Sequence, residues 1–147
     1  MSRQKKISVA IVDDHQLFRN GLKFIIKNET DMEVVIEAQN GKEFLKFLDD
    51  LKPDIALMDI NMPEMDGVET TKQSLNKCPD LNVLVLSMYG DIEYYNTMID
   101  LGVKGFILKD IDNNELADAI RKVNTGGTYF SQELLLRLIK HKPETPG

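Results

Sequence analysis

Five short runs rich in Val, Ile and Leu recur along the chain: Ile7–Val12, Glu33–Ala38, Asp54–Met58, Asn82–Met88 and Gly105–Leu108. None alternates strictly between apolar and polar positions, which suits strands covered on both faces of a parallel sheet. Between them the apolar positions take helical spacing. Leu17, Phe18, Leu22, Ile25 and Ile26 predict one face of a first helix, and Phe44, Leu45, Leu48 and Leu51 mark a second. Val68, Thr71, Leu75 and Cys78 mark a third; Ile92, Tyr95 and Ile99 mark a fourth, with Gly102 as its stop signal. Leu116, Ile120 and Val123 mark a fifth. Asp112 with Glu115 three residues later reads as a capping box at its start, and Gly126–Gly127 ends it. Five strand–helix pairs in strict alternation predict an α/β fold, a doubly wound parallel five-stranded sheet with right-handed crossovers. Beyond Gly127, Ser131–Lys140 predicts a short amphipathic helix with Leu134, Leu135 and Leu138 on one side. The segment 141–147 holds two prolines and reads as a linker or chain end.

Composition narrows the class. The 147 residues are 42% hydrophobic, enough for one domain that buries roughly 70% of its unfolded surface. Charge interrupts the apolar runs within about eight residues, far short of the roughly 20 that a membrane helix needs. The N-terminus has a basic start, but its apolar run ends at Asp13–Asp14 without a small-residue cleavage site, so no signal peptide is expected. Lys and Arg number 18 against 24 Asp and Glu, a net charge of −6 that makes the chain a poor nucleic-acid ligand by itself. The single Cys78 excludes an internal disulfide framework and a thiolate zinc cage, and it fits a reducing, cytoplasmic setting.

The chemistry gathers at strand ends. In open parallel sheets, ligands bind beyond the carboxyl ends of the strands, where the strand order switches. Here the first run ends in Asp13–Asp14 and the third in Asp59. The fourth carries Ser87, and the fifth ends in Lys109. With an order of 2-1-3-4-5, three carboxylates converge at the switch, with a hydroxyl and an ammonium on the far side. Two carboxylates about 5 Å apart repel by roughly 3 kcal/mol at an effective dielectric near 20. A divalent cation relieves this, and oxygen ligands with few committed side chains suit Mg²⁺ (or Mn²⁺) beside a phosphoryl oxygen. A carboxylate can itself be the nucleophile in aspartyl-phosphate chemistry, and Asp59 lies between the acidic pair and the Ser87–Lys109 side. The loop Asn61–Gly67 holds Pro63 and Gly67, expected to turn tightly and offer the Asn61 carbonyl to the metal. Each residue alone reads as a turn former, helix cap or solvated lysine. The case rests on four of five strand ends carrying this chemistry in order. His15 is expected to begin the first helix, partly exposed and without a catalytic part. Met58, Met62, Met65 and Met88 are expected to pack rather than ligate.

The stretches VDDHQLFRNGL, ALMDINMPEMDGVE, VLVLSMY and GVKGFILKD resemble the receiver domain of bacterial two-component response regulators, and the spacing of all four blocks agrees over about residues 7–127. The resemblance implies a flavodoxin-like (βα)₅ receiver over residues 1–127, with residues 128–147 leading toward an output domain that this sequence lacks. It implies that Asp59 accepts a phosphoryl group from a sensor histidine kinase. Asp14, Asp59 and the Asn61 backbone then fall on the Mg²⁺ ligands, with Asp13 acting through water. Ser87 falls on the switch hydroxyl, Lys109 on the family's lysine, and Phe106 on the aromatic switch position. Asn61 and Tyr89, two residues beyond Asp59 and Ser87, sit where side chains tune the lifetime of the acyl phosphate. Asp-His after the first strand, FRNGL, Leu-Lys-Asp and GGTYFS resemble the NarL/FixJ group, whose output is a LuxR-type helix-turn-helix. DNA binding is therefore expected only through the missing domain, and a homodimer on phosphorylation is a further expectation. Asp110 follows the lysine where many receivers have proline. A cis bond before a non-proline costs about 3–4 kcal/mol, so the cis geometry of the wider family is not carried over.

The expected mechanism is a population shift. The new phosphoryl oxygens draw in Ser87 and Lys109, Phe106 follows, and the surface of the fourth helix, fifth strand and fifth helix changes shape. No external substrate is expected to turn over; the chain catalyses only its own phosphorylation and dephosphorylation. Three other readings compete. A phosphatase with an aspartyl nucleophile would want an acid where Asn61 stands. A flavodoxin-like cofactor binder would want a glycine- or hydroxyl-rich loop in place of Asp-Asp-His. A pseudo-receiver would have no reason to keep the whole acid, hydroxyl and lysine set.

Overall fold

Parallel strands bring distant segments side by side, and here they stack six deep. The computed structural model describes residues 5–88, 93–130 and 136. Strands β1 (Ile7–Val12), β2 (Met32–Ala38), β3 (Ile55–Asp59), β4 (Asn82–Ser87), β5 (Gly105–Leu108) and β6 (Tyr129–Phe130) form one sheet in the order 2-1-3-4-5-6. Helices α1 (Gln16–Lys27), α2 (Gly41–Phe47), α3 (Gly67–Lys77), α4 (Tyr95–Leu101) and α5 (Asn113–Asn124) link them. All pairings are parallel. Successive side chains of a strand point to opposite faces, so the sheet supplies two cores. Ala10, Val12, Ala56 and Met58 pack with Phe44 and Met98 on one face. Val9, Ile11, Ile55 and Leu57 pack with Leu22, Ile26, Leu116 and Ile120 of α1 and α5 on the other. No helix among the described residues is long and apolar enough to cross a membrane.

The expected order 2-1-3-4-5 holds, but the sheet has a sixth strand, not five. Gly126 in the left-handed region (φ 96°) turns the chain after α5. Tyr129 and Phe130 then run beside Gly105 and Phe106, with the Tyr129 N–H donating to the Lys104 carbonyl at 2.9 Å. A Cβ on Gly105 would lie 2.9 Å from the Tyr129 carbonyl, so glycine lets β6 approach. Two residues are too few for periodicity to register, yet they pair backbone groups that the β5 edge would otherwise leave open. The helix expected over Ser131–Lys140 lies outside the described residues apart from Leu136, which is helical and exposed.

Other differences have local causes. Leu17, expected on the buried face of α1, is 86% exposed; Arg19 shares the buried face with Leu22 and Ile26 instead. Leu51 lies beyond the end of α2 and is exposed. β4 ends at Ser87, and Met88, expected to pack, is exposed. The buried face of α3 is Gly67, Thr70, Thr71 and Ser74, whereas Val68, Leu75 and Cys78 are only partly buried. Small side chains win there because the helix approaches closely: a Cβ on Gly41 would meet the Thr70 hydroxyl at 2.1 Å. Thr70 and Ser74 donate back to carbonyls four residues earlier, which satisfies their burial. Asp112 caps α5 by accepting from the Asn114 N–H at 3.1 Å. Glu115 accepts from the Tyr129 hydroxyl instead of closing a capping box.

The loop after β3 also turns by other means than expected. The residue in the left-handed region is Glu64 (φ 69°). Gly67 serves close approach, because a Cβ there would lie 2.0 Å from the Asp59 carbonyl oxygen. Gly67→Ala is expected to destabilise the protein by about 1–3 kcal/mol through overpacking. Urea denaturation checks this, and an unchanged midpoint would contradict the close approach.

Candidate functional site

Four of the six strands, β1, β3, β4 and β5, deliver polar groups at the same edge of the sheet. β1 stops as the Asp13 N–H donates to the Ala38 carbonyl at 3.1 Å, and the chain bends into α1. Asp59 is the last residue of β3 and Ser87 the last of β4. Lys109 follows β5, and its N–H donates to the Ser87 carbonyl at 2.8 Å. Its peptide bond to Asp110 is trans, as every described peptide bond is.

The Lys109 ammonium sits between the two buried acids. Nζ donates to Asp13 Oδ2 at 2.9 Å and lies 3.0 Å from Asp59 Oδ1. The Phe18 ring covers it, with its centroid 4.6 Å away, a cation–π contact that also sheds water from the amine. Helical spacing places Phe18 on the apolar face of α1 and carries no signal of this contact, which depends on β5 delivering Lys109 beside it. Asp13 Oδ1 accepts from the His15 N–H at 2.8 Å. His15 begins α1, exposed as expected, but its ring is not idle: Nδ1 lies 3.2 Å from Asp13 and 3.1 Å from Asp14. Asp59 Oδ1 also accepts from the Ile60 N–H at 2.9 Å, while Oδ2 is buried with no hydrogen-bond partner among the described residues.

Charge balance is incomplete. Burial, then repulsion from Asp13, pushes the Asp59 carboxyl up from 3.8 to about 6, against the pull of Lys109. Burial alone would lower the Lys109 ammonium, but its bond to Asp13 and the charges of Asp59 and Asp13 raise it above its ordinary value. Lys109 therefore stays charged at neutral pH. Ligand atoms of Asp13, Asp14, His15 and Asp59 all lie within 4.8 Å of one another, a cluster that can hold a metal ion. The unpartnered Asp59 oxygen and the excess of negative charge both fit a hard divalent cation.

Ser87 is fully buried, and its hydroxyl donates to the Ile107 carbonyl at 3.4 Å. It shares with Asp59, Asn61 and Lys109 the wall of an open cavity of about 730 Å³, whose rim includes Leu17 and Met88. Exposed Leu17 and Met88 thus belong to the mouth of the site. Phe106 is fully buried and meets Tyr95 edge-on, centroids 5.2 Å apart. The expected inward swing of this ring has no outward starting point here. Tyr89 lies outside the described residues.

Sequence reasoning missed Arg19. Its signal was a charged residue at helical spacing from Leu22 and Ile26. The guanidinium is buried and donates to the Asp13 carbonyl at 2.7 Å.

The raised Asp59 value carries a sign for stability. A carboxyl that is harder to ionise in the fold than in the unfolded chain costs nothing below about pH 4, and its cost grows as pH rises through about 6. Each unit is worth about 1.4 kcal/mol, reduced by screening through the open mouth. In EDTA, Asp59→Asn is therefore expected to stabilise the protein at pH 7 by about 1–2 kcal/mol and to lose that advantage by pH 4. Thermal melts at both pH values check it, and a destabilised variant at pH 7 would contradict it.

Comparison with known proteins agrees with the geometry. A family model described as the response regulator receiver domain matches residues 9–121. The chain is 39% identical over 137 residues to the transcriptional regulatory protein DegU of Brevibacillus brevis, covering 93% of this chain and 58% of the relative. It is 38% identical over 132 residues to the response regulator protein VraR of Staphylococcus aureus, covering 90% of this chain and 63% of the relative. The chain thus spans about three fifths of the length of these relatives. The signal receiver domain of the response regulator NarL from Mycobacterium tuberculosis superposes with a TM-score of 0.76 at 30% identity, over 83% of this chain and 98% of that one. With its acids, hydroxyl and lysine gathered at the carboxyl edge of the sheet, the chain belongs to the response regulator receiver domain family, among relatives that are transcriptional regulators.

Proposed function

We propose that this receiver accepts a phosphoryl group on Asp59 from a sensor histidine kinase and passes the change to a DNA-binding output domain outside this chain. The observation that carries the reading is the Lys109 ammonium, 2.9 Å from Asp13 and 3.0 Å from Asp59, beside an Asp59 oxygen that has no partner among the described residues. The ionised Asp59 carboxylate attacks phosphorus, the bond from phosphorus to the donor's imidazole nitrogen breaks, and an acyl phosphate forms. Lys109 is already charged and aimed at the place where negative charge develops, so it needs little reorganisation. Asp14, Asp59 and the Asn61 carbonyl would hold Mg²⁺ (or Mn²⁺), with Asp13 acting through water. When bound, the ion neutralises phosphoryl oxygens that would otherwise face the acids.

The switch follows from weak and strong contacts. The 3.4 Å bond from Ser87 to the Ile107 carbonyl is long, so its hydroxyl is cheaply redirected to a phosphoryl oxygen. Phe106 moves with β5 from an already buried position, against Tyr95 of α4. Tyr95 also meets Phe130 of β6 edge-on at 6.0 Å. A shift at β5 therefore reaches the α4–β5–α5 surface and the start of residues 128–147, which lead toward the output domain. Association into a homodimer on phosphorylation is part of the proposal, as are a cytoplasmic location and the absence of turnover of any external substrate. Asn61 and Tyr89 would shield the acyl phosphate from water.

Incubation with Mg²⁺ and acetyl phosphate, followed by intact mass, tests the reading. The wild type is expected to gain one phosphoryl group and Asp59→Asn none; equal labelling of both would sink it. Lys109→Ala is expected to slow labelling by about 10²–10³-fold, the usual effect of removing one preorganised donor. Tyr89→Ala is expected to change the lifetime of the acyl phosphate, and an unchanged hydrolysis rate would remove that role.

A further inference from the structure

Arg19 stands outside the residues that would touch phosphate or metal, yet it is only 5% exposed. Burying a guanidinium is costly unless its N–H groups are met, and here the fork is engaged on three sides. Nη1 donates to the Asp13 carbonyl at 2.7 Å, Nε to Glu37 Oε2 at 2.8 Å, and Nη2 to Gln16 Oε1 at 2.6 Å. Glu37, on β2, is itself held by Lys23 at 2.9 Å. The brace therefore ties α1 and β2 to the peptide that joins Asp13 to Asp14.

That peptide is the hinge of the acidic pair. The Asp13 side chain is held on one side by Lys109 and on the other by the His15 N–H. The Asp14 carboxylate is partly exposed and meets the exposed ring of His15. A contact made by a solvent-exposed ring is a weak anchor, so the direction of Asp14 depends on its backbone. Arg19 holds that backbone by the oxygen of the Asp13–Asp14 peptide, through a buried charge-assisted bond.

We infer that Arg19 is a positioning residue for the acidic pair: its guanidinium, acting through the Asp13 carbonyl, sets how the Asp13 and Asp14 carboxylates face the site, and Mg²⁺ affinity depends on it. The inference rests on the proposed metal role of Asp13 and Asp14. It concerns geometry rather than charge, and because Arg19 and Lys23 share the single Glu37 carboxylate, the two are separated by a variant that keeps the positive charge. A lysine in its place keeps the charge but cannot reproduce the planar fork.

The test is the Mg²⁺ dissociation constant of the unphosphorylated full chain, followed by backbone amide shifts, in wild type, Arg19→Lys, Glu37→Ala and Arg121→Gln. Arg121 forks onto Asp31 at 2.8 and 3.0 Å, so its loss breaks a comparable ion pair at a different junction. Outer groups that orient ligands typically change metal affinity by about 10–100-fold. Arg19→Lys is expected to weaken Mg²⁺ binding by at least about tenfold, Glu37→Ala by less, and Arg121→Gln by under about twofold. At saturating Mg²⁺, labelling of Arg19→Lys by acetyl phosphate is expected to recover to within a few-fold of wild type. Wild-type affinity in Arg19→Lys, or equal weakening by Arg121→Gln, overturns the inference alone. A wild type that binds no Mg²⁺ overturns the site reading and the inference with it.

Discussion

A lysine amine buried between two aspartates organises this molecule. Lys109 arrives from the end of β5, Asp13 from the end of β1 and Asp59 from the end of β3, which lies between them apart from one intervening strand. Nothing local brings these three together, because 96 residues separate Asp13 from Lys109. Only a sheet in this order, with parallel registers that end its strands at one edge, gathers them. The pairing is not balanced, since two acids face one ammonium and one Asp59 oxygen is left without a partner among the described residues. Removing the ammonium would leave two buried acids uncompensated, whereas removing the Asp59 charge leaves Asp13 and Lys109 paired. The same imbalance makes the site receptive to a cation.

The surrounding fold holds this unfavourable charge cluster in place. Largely apolar, buried strands anchor the acids from below, and α3 presses so closely on the Asp59 backbone that only glycine fits at position 67. Phe18 closes one side of the ammonium, and Arg19 secures the chain that carries the acidic pair. On the opposite side the contacts are looser. The Ser87 hydroxyl makes one long bond, and Phe106 sits in an aromatic series with Tyr95 and Phe130.

Much of this was legible beforehand, for identifiable reasons. β1 and β5 have the bounds that their Val, Ile and Leu runs suggested, since strands buried on both faces have no polar alternation to blur their edges. Helix faces were less legible. Leu17 obeys the apolar period of α1 but projects past the end of the sheet into the mouth of the site. Thr70 and Ser74 break the period of α3 and are buried, because close approach rewards small volume over hydrophobicity. The two-residue strand β6 and the Glu115–Tyr129 bond depend on a turn at Gly126 that brings a distant segment back to the β5 edge.

The order of residue types along the chain was enough to specify a parallel α/β sheet with acids, a hydroxyl and an amine at successive strand ends. That follows because periodicity reports which way a side chain points relative to its own backbone. Distances between separate strands carry no such local signal. Tertiary structure alone decided that the amine bridges Asp13 and Asp59, that Asp59 is buried enough to resist ionisation, and that an arginine on an apolar helix face braces the acidic loop. Each of those outcomes depends on how closely elements far apart in the chain pack, and on the water that this packing removes.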